Sequence, residues 1–175
     1  METADRFHPK ILVRVEVMPT MNLFGRIIGP RPQADEDRSI PYGIDKRPMP
    51  DGDDPDGLLP REVGLYVREP IRALETKGGP IYSNYRRGTS CIFVELGISD
   101  DASGARMALA TAKSEIDAEF PDIPQISGKQ RDVSFLKTAN RLGAFMAWTR
   151  GRYYFSAHAK EGEKELDELM RLFPY

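Results

Sequence analysis

Apolar and polar positions alternate with a period of two over residues 81–86, 89–96, 132–138, 144–149 and 152–159. That pattern predicts strands whose successive side chains point to opposite sheet faces. Arg87-Gly88 and Arg150-Gly151 separate two pairs of these runs, and glycine accepts the positive φ of a tight hairpin. Two hairpins are therefore expected. After the first, Ser99 or Asp100 can cap a helix in which Ala102, Ala105, Ala108, Leu109, Ala112 and Ile116 recur at helical spacing. After the second, Leu166, Leu169, Met170 and Phe173 form an apolar stripe that faces a sheet, and Pro174 stops the helix.

Laying residues 82–92 over residues 145–155 matches Tyr82 with Phe145, Tyr85 with Trp148, Arg87 with Arg150, Gly88 with Gly151 and Ile92 with Phe155. The expectation is an α+β fold built on a duplicated strand-strand-strand-helix unit, with one antiparallel sheet and both helices on one face. Parity then sorts the side chains. Ile81, Tyr85, Ile92, Val94, Met146, Trp148, Tyr153 and Phe155 are expected beneath the helices. The opposite face takes Tyr82, Asn84, Arg86, Phe93, Glu95, Phe145, Thr149, Arg152, Tyr154, Ser156 and His158.

Eight of the 14 prolines fall within residues 1–57, among them Pro30, Pro32, Pro41, Pro48, Pro50 and Pro55, where each removes a backbone donor. This stretch is expected to be an extended arm, with one strand at 11–17 and an apolar turn at 21–28. The acidic run at 51–57 closes it, so the expected organisation is an arm over 1–57 and a single α+β domain over 58–175. Residues 63–68 are expected to open the sheet before Pro70.

Composition narrows the chemistry. A hydrophobic share of 40% and a charged share of 30% in 175 residues suit one globular domain. Twenty-five basic residues against 27 acidic ones leave no positive excess for broad phosphate contact, so nucleic-acid binding is disfavoured. No apolar run reaches the ~18 residues of a membrane span, and the N-terminal stretch lacks the parts of a signal peptide, so a cytoplasmic location is expected. Cys91 is the single cysteine, which excludes an intramolecular disulfide and a cysteine-rich zinc site.

Catalytic groups are sparse. The histidines are His8 and His158, and neither lies in a Cys-His or Ser-His pattern; His158 reads as a surface or interface residue. Asp51, Asp53, Asp54 and Asp56 approximate a calcium loop, but Pro55 occupies the fifth ligand place, so a solvated linker is expected. Gly78-Gly79-Pro80 is a turn before a strand, since no Gly-Lys-Ser/Thr follows. No cofactor or metal is implied.

The run Leu58-Leu59-Pro60-Arg61-Glu62-Val63-Gly64-Leu65-Tyr66-Val67-Arg68, with the Tyr85-Arg86-Arg87-Gly88 and Trp148-to-Tyr154 hairpins, resembles an uncharacterised group of bacterial α+β domains. The resemblance implies a fold over roughly residues 58–173, and no activity.

Four rings among polar groups on the outer face point to an interaction surface formed by Tyr82, Arg86, Phe93, Phe145, Arg152, Tyr154 and His158. The expected function is a non-enzymatic protein-interaction module, such as an accessory subunit of a larger assembly. Its partner would be another protein or a second copy, held through the arm and this face. The alternative is a small-molecule site or enzyme, with a pocket lined by Tyr82, Arg86, Phe93, Tyr154 and His158.

Overall fold

A computed structural model describes residues 40–73, 79–140 and 143–175. The expected strand at 11–17, the turn at 21–28, His8 and Gly78 lie outside the described residues. The described ones belong to the compact unit Gln33–Tyr175.

After a 3-10 turn at Pro41–Lys46 and the short helix α1 (Pro55–Leu58), the chain forms β1 (Glu62–Val63), β2 (Tyr66–Arg68) and β3 (Arg72–Ala73). The hairpin β4 (Ile81–Arg87) and β5 (Ser90–Ile98) leads into α2 (Ala102–Glu119). Then come β6 (Gln125–Gln130), β7 (Val133–Asn140), β8 (Gly143–Arg150), β9 (Tyr153–Ala159) and α3 (Glu163–Leu172). The nine strands among the described residues make one antiparallel sheet in the order β1-β2-β4-β5-β9-β8-β7-β6, with β3 also on β4. The α+β class and the antiparallel sheet are therefore as expected. Each predicted hairpin turns on its glycine, with Gly88 at φ +59° and Gly151 at φ +55°.

Parity within β8 and β9 divides the interior. On one face Trp148 stacks on Phe155 at 5.2 Å between ring centroids, and Phe173 meets both rings edge-on. Tyr85, Ile92, Val94, Met146 and Tyr153 share this cluster with Leu166, Leu169 and Met170 of α3. On the other face Leu136, Ala147 and Tyr154 are buried against Ala105 and Leu109 of α2.

The two helices thus lie on opposite faces, which corrects the expectation that both cover one. The equivalent hairpins do run alike, since Tyr85 and Trp148, and likewise Ile92 and Phe155, point to the α3 side. The helices break the likeness, and on the α3 side above β4 the space is taken by residues 58–60. There Leu58 and Leu59 are buried, Tyr85 Oη donates to the Pro60 carbonyl at 2.8 Å, and Arg68 donates to the Leu59 carbonyl. Alanine-rich α2 presents a narrow apolar stripe that fits closely on Ala147 and Tyr154 of the free side.

Residues 40–60 act as a strap over the α3-side core. Ile40 and Ile44 are buried in it, so the core extends back ahead of Leu58. Prolines in this segment cannot build a strand ladder, and its carbonyls need other donors. Arginine and tyrosine side chains of the sheet and the C-terminal tail supply them. Arg150 donates to the Arg47 carbonyl at 2.8 Å, Tyr153 Oη to the Gly52 carbonyl at 2.8 Å, and Tyr175 Oη to the Gly57 carbonyl at 3.0 Å. In return Arg47 donates to the Phe173 carbonyl, and Tyr42 Oη to Asp167 of α3.

Tyr42 adopts φ +59°, a left-handed conformation unusual for a ring-bearing residue. It places the phenol beside Lys137, whose ammonium lies 5.3 Å from the ring centroid. Burial and the Asp167 hydrogen bond push the Tyr42 hydroxyl up to about 12, against the opposing effect of Lys137.

Ile44→Ala should destabilise the protein by about 2–5 kcal/mol in urea denaturation, the cost of a core cavity. A change close to zero would mean that residues 40–60 are not part of the core.

Candidate functional site

The side of the sheet that carries α2 is covered unevenly. That helix packs on β7, β8 and β9 and reaches β5, and its N-terminus is capped by Asp101, whose carboxylate accepts from the Ser103 and Gly104 amides at 2.8 and 2.9 Å. Beyond it, the side chains that β2, β4 and β5 present on the same side are half-buried or exposed. Tyr82, Asn84, Cys91, Phe93 and Glu95 are half-buried, Arg86 is exposed, and Val67 is 56% exposed. Tyr82 and Phe93 sit diagonally across β4 and β5, with ring centroids 5.3 Å apart at an interplanar angle of 33°.

Strand register fixes the layout. One row runs Tyr82, Glu95, Ser156, Ala147; the next runs Asn84, Phe93, His158, Phe145. The seven residues expected on an outer surface are therefore divided. Tyr154 is buried beneath α2, with 7% of its surface exposed, and Phe145 is half-buried against the same cluster. Arg152 lies in the β8–β9 turn and pairs with Asp53 of the strap. Tyr82, Arg86, Phe93 and His158 remain on the open part.

These placements also divide the pocket residues. Tyr154 belongs to the α2 cluster, while Arg86 is held by Glu69, which also accepts from Asn84 at 2.8 Å. The Asp51–Asp56 loop spends its carboxylates internally. Asp51 accepts from the Gly52 amide, Asp54 caps α1, Asp53 binds Arg152 and Asp56 binds Arg68. Cys91 pairs across the hairpin with Arg86, and its amide donates to Glu161 at 3.3 Å.

Glu95 is the residue that sequence reasoning placed on this face without giving it a role. It is half-buried, faces Tyr82 and Ser156 across its two strand neighbours, and accepts from Ser156 Oγ at 3.4 Å. Burial raises its carboxyl, the Ser156 hydrogen bond opposes this, and the charge of Glu115 on α2 adds to the rise. The same burial raises the Tyr154 hydroxyl and lowers His158, so His158 is mostly neutral at pH 7. The signal was a single acid in the apolar run Cys91-Ile92-Phe93-Val94-Glu95-Leu96, where an ionised group costs free energy unless something compensates it.

Compared with known proteins, the chain matches no family model, no curated protein and no solved structure. Among the described residues, no helix is long and apolar enough to cross a membrane.

The Glu95 titration gives a signed prediction. The folded protein holds this carboxyl above its unfolded value, so the ionised form costs stability at neutral pH. That cost disappears as pH falls through the folded value towards the unfolded one of about 4.3. Glu95→Gln should therefore melt higher than wild type at pH 7, with the gap closing once the pH drops below about 4. Thermal midpoints measured across this range check it, and a gap that does not change with pH would contradict it.

Proposed function

We propose that this protein is a non-enzymatic interaction module that docks a protein partner on the open half of its α2-side sheet face. The observation that carries the reading is the Tyr82–Phe93 ring pair, half-buried on the α2 side of the sheet beyond the main cover of α2, where Val67 of β2 is also exposed. Aromatic side chains supply contact area at low entropic cost and are enriched in the energetic centres of interfaces.

The surroundings suit a binding surface with fixed geometry. Each ring stands on a paired strand, and Arg86, Glu69 and Asn84 form a hydrogen-bonded rim beside the rings. A strand-borne face with an aromatic centre and a polar rim has the anatomy of a protein interface. An accessory role in a larger assembly fits the same surface.

Replacing both Tyr82 and Phe93 by serine should leave the fold intact, because neither ring belongs to either buried cluster. Native purification followed by mass spectrometry should recover a stoichiometric partner with wild type and lose it with the double variant. Equal recovery by both proteins would refute the assignment of this face.

A further inference from the structure

The open face carries a carboxylate, Glu95, that pairs with no cation among the described residues. Glu95 lies directly across from Tyr82 and two residues along β5 from Phe93. Around it stand Tyr82 from β4, Ser156 and Tyr154 from β9 and Glu115 from α2. None of these is a cation, and among the described residues no basic side chain pairs with Glu95.

Of the basic groups nearby in the fold, Arg72 of β3 lies across from Tyr82 and is exposed, its charge acting on Glu69, and the others are engaged in ion pairs. Arg86, on the same face of β4, is bound to Glu69; Arg152 is bound to Asp53; Lys113 of α2 is bound to Asp117 at 2.6 Å. His158, one row away on β9, is held largely neutral by burial and by the neighbouring Lys160, with Glu161 opposing. No cation among the described residues is paired with Glu95, which leaves its charge open to one that a partner brings.

The rings specify its shape. Tyr82 and Phe93 offer aromatic faces next to the carboxylate, and a planar, weakly hydrated cation can rest on a ring while donating to a carboxylate. An ammonium group is a compact, strongly hydrated point charge and uses such a combination less fully. We propose that Glu95, Tyr82 and Phe93 form a receptor for an arginine side chain of the protein partner. This deepens the interaction role proposed above and depends on it for the source of the arginine.

Binding should be linked to protons. The guanidinium neutralises Glu95 only when the carboxyl is ionised, so affinity should fall as the pH drops through the Glu95 titration, and the bound ligand should lower the pH at which Glu95 titrates.

The test is a carbon-detected NMR titration of the full chain with N-acetyl-arginine amide, and with N-acetyl-citrulline amide as the neutral isostere. The expected result is a saturable shift of the Glu95 carboxyl carbon and of the Tyr82 and Phe93 ring signals with the arginine compound alone. Glu95→Gln should weaken that binding at least about tenfold. Equal responses to the two compounds, no saturable response up to ~50 mM, or unchanged binding by Glu95→Gln would each overturn the proposal.

A partner that is lost with the ring double variant but kept by Glu95→Gln would overturn this inference while leaving the interaction role standing. An arginine response in a protein that has no ring-dependent partner would overturn the interaction role and, with it, the partner as the source of the cation.

Discussion

Side-chain alternation along β8 and β9 is the constraint on which the rest of this structure depends. Trp148 and Phe155 point one way and Ala147 and Tyr154 the other, so one central hairpin serves two separate apolar clusters. A register slip of one residue would drive the indole into the space where Ala147 meets α2 and expose the aromatic stack that α3 and Phe173 enclose. The α3 side holds the stacked Trp148 and Phe155 with Phe173, whereas α2 lays its alanines on Ala147, Leu136 and the single buried ring of Tyr154. The first requires a broad cover and the second allows a close, narrow one.

That difference explains the strap. An amphipathic helix of the length of α3 does not span a face that reaches from β2 to β8, and residues 40–60 complete the cover with Ile40, Ile44, Leu58 and Leu59. Pro41 and Pro55 start its two short helical turns, and side-chain donors from Arg68, Tyr85, Arg150, Tyr153 and Tyr175 satisfy carbonyls of the segment in place of a strand ladder. With the strap on one side and only α2 on the other, the α2 side of β2, β4 and β5 stays open. The candidate site is thus a consequence of how the core is closed.

Strand alternation, the two glycine hairpins and the α3 stripe were all legible in the sequence, because each depends on local spacing. Parity correctly grouped Tyr85, Ile92, Trp148 and Phe155. The side taken by α2 was not legible, because its alanines fit either face and nothing in their spacing shows that α3 covers the other side of β8 and β9. The prolines of 41–55 read as an arm because none can continue a strand ladder, yet Pro41 and Pro55 start short helical turns and Ile40 and Ile44 are buried. Tyr154 read as an open ring for the same reason that α2 was misplaced. Glu95 was visible as an acid in an apolar strand, but only the register brought it opposite Tyr82 and showed which nearby cations are engaged elsewhere.

The central claim is that the two sheet faces are covered unequally, and paramagnetic relaxation by a soluble gadolinium chelate measures this directly. The account predicts strong relaxation of the Tyr82 and Phe93 ring protons and of Val67, with the Trp148 indole proton and the Tyr154 ring protected. Protected Tyr82 and Phe93 rings in the isolated chain, or a strongly relaxed Trp148 indole, would contradict it.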